Sequence, residues 1–226
     1  MNSSDFNAYK RRYGAAMQKV LAEAEPGRLD EVGFPAYSHA NPLIKWLFWR
    51  RLHIVIDHVQ RGAPYARVLD FGCGSGVMLP FLSGVCTELV AADVDLLPLE
   101  RMQHLVPLAA NVTQWDLSGP ALSDAAPRSF DLIIALDVLE HVKDLPQTLA
   151  QLLRLLRTGG QLIVSGPTEN ALYRFGRRLA GPEYSGEYHE RGVAEIRRHV
   201  GQHARVTRIA TLYRPMPLFE IFSAAV

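Results

Sequence analysis

The spacing of apolar residues changes at about residue 63. Before that point it is helical. Asp5 to Glu25 has the composition of a helix and stops at the Glu25-Pro26-Gly27 break. Asn41-Pro42 predicts a second start, with Asn41 as N-cap and Pro42 at the first helical position. That helix presents Leu43, Trp46, Leu47, Ile54 and Val55 at roughly helical spacing. From Arg67 onward, short and nearly continuous apolar runs alternate with longer amphipathic stretches. Arg67 to Asp70, Leu89 to Asp93 and Asp131 to Asp137 are runs ending in an acid, and Gln161 to Ser165 is a fourth. Between the last two, Leu145, Leu149, Leu152, Leu153 and Leu156 share a helical face, with Gly159-Gly160 expected to close the helix. Val206 to Tyr213 and Leu218 to Ala224, joined by a Pro-containing link, read as an antiparallel pair at the end of the sheet.

Strands without polar alternation, separated by helices, belong to a sheet buried on both faces. The expected fold is α/β: a doubly wound, mostly parallel, Rossmann-like sheet with an antiparallel C-terminal strand and an N-terminal helical cap. Residues 1–62 form the cap and 63–226 the main unit, within one structural domain. Composition narrows this further. With 24 basic and 23 acidic side chains the net charge is +1, which gives no field to attract nucleic acid. Cys73 and Cys86 supply neither a disulfide framework nor a metal-ligand pattern. The polar start lacks a secretory signal, and Pro42 to Val59 carries too many charges to span a membrane. A cytoplasmic location is the simplest expectation.

Doubly wound sheets bind ligands beyond the carboxyl ends of their strands. There the chain places Asp70-Phe71-Gly72-Cys73-Gly74-Ser75-Gly76. A dinucleotide fingerprint counted from Gly72 needs glycine at 77, which is Val, and no P-loop pattern occurs. The D-x-G-x-G-x-G turn resembles the first motif of class I S-adenosylmethionine methyltransferases. Ser129 to Val142 resembles that family's fourth-strand motif, and Leu153 to Val164 its helix-turn-fifth-strand segment, so the likeness runs over about residues 65–166.

The resemblance implies a seven-stranded sheet and S-adenosyl-L-methionine as cofactor. The turn residues Asp70, Gly72, Cys73, Gly74 and Gly76 would line the cofactor, with Asp137 after the fourth strand. Asp93, with Val94 beside it, would accept hydrogen bonds from both ribose hydroxyls. Asp116, with Leu117, would meet the adenine amino group, and Asn111 is a competing alignment for that acid. Cys73 reads as structural, since nothing local would stabilise a thiolate.

In-line methyl transfer from a sulfonium needs alignment more than a nucleophilic side chain. It uses a base where the acceptor carries a proton. His141, after the fourth strand, is the first candidate, and the other reading is that it only begins the next helix or packs beneath the site. His189, in the Tyr- and Gly-rich loop 184–189, is the second, set against a plain surface histidine; His39 is weaker. No metal is assigned.

The acceptor is expected to be a small molecule, apolar or lipid-linked. The helix segment 43–51 reads either as a lid or membrane-surface contact, or as an ordinary packed helix with Arg50 and Arg51 at its wet edge. Arg174, Arg177 and Arg178 are candidates to hold an anionic group on the acceptor, or form a solvated face. Leu136-Asp-Val-Leu139 replaces the Pro-Pro-aromatic tetrapeptide of amino-group methyltransferases acting on bases, which again disfavours nucleic acid. Two other functions stay in view: a cofactor-binding regulator without turnover, and a nicotinamide oxidoreductase, which the glycine spacing opposes.

Overall fold

Four apolar runs become the centre of one sheet because alternate residues in each can be buried on opposite faces. The computed structural model describes residues 3–23, 37, 41–168, 191–212 and 217–226. The strands are β1 (Tyr65–Phe71), β2 (Cys86–Asp93), β3 (Val112–Asp116), β4 (Phe130–Leu136), β5 (Leu156–Pro167), β6 (Arg205–Leu212) and β7 (Phe219–Ala225). They form a seven-stranded sheet in the order β3-β2-β1-β4-β5-β7-β6. β1 to β5 pair in parallel, whereas β7 is antiparallel to both β5 and β6.

Along β4, Leu132 and Ile134 enter one core layer while Ile133 and Ala135 enter the other. The first layer is covered by α1 (Ser3–Glu23) and α2 (Pro42–Gly62), which contribute Tyr13, Met17, Trp49, Leu52 and Val55 to the same cluster as the sheet. On the second face, α6 (Leu145–Leu155) buries Leu145, Leu149, Leu152 and Leu155. Each such leucine stabilises by roughly 1.5–3 kcal/mol on leaving water. Asp144 caps α6, its carboxylate accepting the Gln147 N–H at 3.0 Å.

Three expectations need correction. α6 stops at Leu155 rather than at the glycine pair; Leu156 is already extended and pairs with Phe130, which draws Gly159-Gly160 into the lead of β5. In α2 the buried indole is Trp49, and Trp46 is 48% exposed. The helix keeps Arg50 in water but not Arg51, which is 2% exposed. Leu47 and Val55, four residues to either side of Arg51, are buried too, so Arg51 lies on the inward stripe. The side chain of Leu43 is outside the described set. No described helix is long and apolar enough to cross a membrane.

Candidate functional site

Parallel pairing brings the ends of β1, β2 and β4 to one side of the sheet, and the chain reverses there. Gly72 and Gly76 adopt φ of +75° and +79°, where a Cβ is disfavoured. A Cβ on Gly72 would also run into Val138, and one on Gly76 would come within 2.6 Å of Leu99. The N–H groups of Gly72 and Cys73 donate to the Ala92 carbonyl at 2.8 and 3.1 Å. Gly74 N–H donates to Asp93 Oδ2 at 2.7 Å. From α1, the Tyr13 hydroxyl donates to the Ser75 carbonyl and the Tyr9 hydroxyl to that of Val77, the latter at 2.7 Å. The turn is thus tied to β2 and to the N-terminal helix.

Asp93 closes β2, and its Oδ1 accepts the Asp95 N–H at 3.2 Å. A carboxylate offers about four acceptor positions, so the backbone donors at Asp93 leave capacity for a ribose hydroxyl. Asp116 lies directly opposite Asp93 in the β2/β3 register. It is exposed, and hydrogen bonds from Ser118 hold its carboxyl below the ordinary range. Leu117 N–H donates to the Asp93 carbonyl at 2.8 Å, and Val94 is 69% exposed. Asn111 is elsewhere: its amide donates to the carbonyls of Ser83 and Cys86, at the start of β2. These residues fit an adenosine moiety along the β2–β3 edge, with the glycine turn beside it.

Asp70 is buried, and burial, followed by the charge of Asp93, pushes its carboxyl up to about 7. Burial raises Asp93 as well, against the hydrogen bonds it accepts. Burial also carries the Cys73 thiol well above its usual value, so no thiolate forms there.

Beyond β4 the backbone of Asp137 turns to φ +53°, an unusual value for a residue with a side chain. Ser165 holds it twice, by an Oγ–H bond to Asp137 Oδ1 and a carbonyl bond from Asp137 N–H, both 3.0 Å. Asp137 Oδ2 is ion-paired to Arg51, whose Nη2 also donates to the Tyr37 hydroxyl at 3.3 Å. Burial raises the Asp137 carboxyl, partly countered by Arg51. Glu140 is fully buried and His141 exposed on the 3-10 turn Leu139–His141. His189, His39 and Arg174, Arg177 and Arg178 lie outside the described residues. No group of three or more His, Cys, Asp or Glu side chains able to hold a metal occurs among the described residues.

Sequence reasoning brought Asp70, the glycines, Asp93, Asp116 and Asp137 to one end of the sheet, and missed Arg51, Tyr9 and Tyr13. A signal for each was present: Phe6, Tyr9, Tyr13 and Met17 share one helical face of α1, and Arg51 interrupts an apolar stripe of α2.

The family model of the methyltransferase domain matches residues 9–217. The ubiquinone biosynthesis O-methyltransferase of Pseudomonas fluorescens (strain Pf0-1) is 28% identical over 136 residues, 59% of this chain. That alignment spans 58% of the relative, less than two thirds of its length. The protein of the same name from Dechloromonas aromatica (strain RCB) is 26% identical over 202 residues, 85% of each chain. In fold, the chain resembles the crystal structure of the N-methyltransferase NodS from Bradyrhizobium japonicum WM9, solved with S-adenosyl-L-homocysteine. The TM-score is 0.62 at 17% identity, over 95% of this chain and 98% of that one. With a family match along most of its length, the strand order of that fold and a glycine turn backed by two strand-end acids, this chain belongs to the S-adenosylmethionine-dependent methyltransferase domain family.

Proposed function

We propose that the chain methylates a hydroxyl oxygen on a small, largely apolar acceptor. The observation that carries the oxygen is the likeness to relatives named for O-methylation. When bound, S-adenosylmethionine supplies a methyl group on a positively charged sulfur, already activated toward an oxygen in line with the carbon–sulfur bond. The chain's part is then placement and proton handling. The tied turn Gly72–Gly76, with Asp70, Cys73, Asp93, Val94, Asp116 and Leu117, would hold the donor. Asp137 stands at the amino-acid end of that site. Fixed orientation of this kind contributes on the order of 7–11 kcal/mol.

His141 is the proposed acceptor of the hydroxyl proton. It is exposed and lies on the 3-10 turn Leu139–His141, four residues beyond Asp137 at the end of β4. Exposed Trp46, flanked in sequence by Lys45 and with Arg50 one turn on, supports contact of that edge of α2 with a membrane surface that carries the acceptor.

The test offers the chain S-adenosylmethionine with 4-octylcatechol or 4-octylaniline and measures release of S-adenosylhomocysteine. Release is expected with the catechol, and release with the aniline alone would overturn oxygen as the acceptor. His141→Ala is expected to lower kcat by roughly 100-fold or more with S-adenosylhomocysteine affinity unchanged.

A further inference from the structure

His141 stands in water on a turn too short to hold itself. In the single 3-10 turn Leu139–His141, the His141 N–H donates to the Val138 carbonyl at 3.1 Å and the Val142 N–H to that of Leu139 at 3.4 Å. Forming one helical turn fixes more backbone than its hydrogen bonds offset, so a segment of this length takes its shape from its surroundings. At the start of the turn those surroundings are close. Ser165 bonds Asp137 twice, and Leu139 and Glu140 are fully buried. Beyond Glu140 the chain returns to the surface, with His141 and Lys143 exposed and Val142 half-buried. Packing therefore fixes the first half of the turn and not the half that carries the imidazole.

That half is held by a residue 48 positions beyond Lys143. Arg191 Nη1 donates to the Val142 carbonyl at 2.7 Å, and Nη2 to the Lys143 carbonyl at 3.3 Å. Carbonyls at the end of a helical turn have no partner within it, and a basic side chain bonded there is favoured. One planar guanidinium spans two consecutive carbonyls, a fit that a flexible ammonium lacks.

The arginine is itself anchored. It precedes α7 (Val193–Val200), whose Val193, Ile196 and Val200 are buried in the same core layer as Leu139 and Leu145. Its Nε lies 3.7 Å from Glu195 Oε1, four residues along the chain. A Cβ on Gly166 of β5 would lie 3.4 Å from Val193 and 3.7 Å from Glu140 Oε2. α7, β5 and the buried half of the turn thus meet at one place, and Arg191 reaches from there to the exposed half.

We infer that Arg191 is a positioning residue for methyl transfer. Through the Val142 and Lys143 carbonyls it fixes the backbone that carries His141, and so the direction from which the imidazole meets the acceptor hydroxyl. Arg191 itself moves no proton. The inference rests on the reading of His141 as the base. A reacting group displaced by about 1 Å can lose rate by about 100-fold, so a tie of this kind bears on kcat.

Placement is read first, without turnover. The chain carrying 13C-labelled histidine is examined by NMR with S-adenosylhomocysteine bound, at about pH 8.5, where the imidazole is neutral and a lost charge does not shift its titration. The ring Cε1–Hε1 peak of His141 is assigned by its absence from H141A. In R191M that peak is expected to move or broaden, while calorimetry finds the affinity for S-adenosylhomocysteine unchanged. A peak that stays in place overturns the inference. Should R191M not fold, R191Q takes its place.

Turnover of 4-octylcatechol then shows whether the placement matters. R191M is expected to lower kcat about tenfold or more at an unchanged KM for S-adenosylmethionine. In the H141A background the same substitution is expected to cost nothing further, because no imidazole is left to aim. Full activity of R191M, or an equal loss with and without His141, overturns the inference and leaves His141 as base. Full activity of H141A instead removes the base and overturns both readings. If the unaltered chain does not turn over the catechol, the proposed acceptor fails, and the His141 peak alone decides for or against Arg191.

Discussion

Asp70 shows how one position can be legible in kind and hidden in state. An acid ending an apolar strand before a glycine turn marks a site from sequence alone. That it is buried within range of Asp93, and so raised from the usual 3.8 to about 7, follows only from the turn's tertiary ties. The raised value has a stability consequence of definite sign. An acid with a higher pKa folded than unfolded binds more protons in the native state between those two values. Stability from this group is therefore present at low pH and lost as pH rises from about 4 to about 7. The melting temperature of the unaltered chain should fall more steeply over that window than that of Asp70→Asn. Equal slopes would remove buried Asp70 as the cause. Arg51 was hidden for a different reason. Arginine beside arginine reads as a wet edge, and only the packing of α2 against the sheet, which brings Arg51 to Phe219 and Asp137, turns one of the pair inward.

At the scale of elements, legibility followed burial. β1, β2, β4 and β5 are buried on both faces, so their apolar runs announce them. β3 is an edge strand whose Thr113, Gln114 and Asp116 are exposed, and its sequence carries no such run. The early stop of α6 has a similar origin: Leu156 continues the apolar face, but its backbone is claimed by Phe130 across the sheet. α1 was legible as a helix and illegible as a tie, since two tyrosines on a helix face look like ordinary core. Their hydroxyls hold carbonyls of the glycine turn, so α1 bears on the site through Ser75 and Val77. Tyr13→Phe is expected to cost about 1 kcal/mol in urea unfolding and to weaken S-adenosylhomocysteine binding. If stability falls while affinity stays unchanged, α1 packs against the turn without shaping it.

For the whole molecule, the site is a product of strand order. β1 lies between β2 and β4, so the glycine turn reaches Asp93 on one side and Val138 on the other. A ligand held from both sides is coupled to global unfolding. At about a hundred times its Kd, S-adenosylhomocysteine should add about 2.7 kcal/mol of apparent stability. NAD should add none, because the glycine spacing is wrong for it, and Asp93→Ala should abolish the gain. A melting temperature raised by NAD alone would contradict the site as drawn.

The position of β7 has a consequence for how the chain is made. β7 follows β6 in sequence yet lies between β5 and β6. On a ribosome, β6 therefore emerges before its sheet neighbour exists, while β5 still shows an open edge to it. Arg205 and Arg208, exposed on β6, place charge on the waiting strand, and charge of that kind discourages mispairing at an unprotected edge. β6 stays the outer strand of the finished sheet, so the same two arginines also charge its permanent edge.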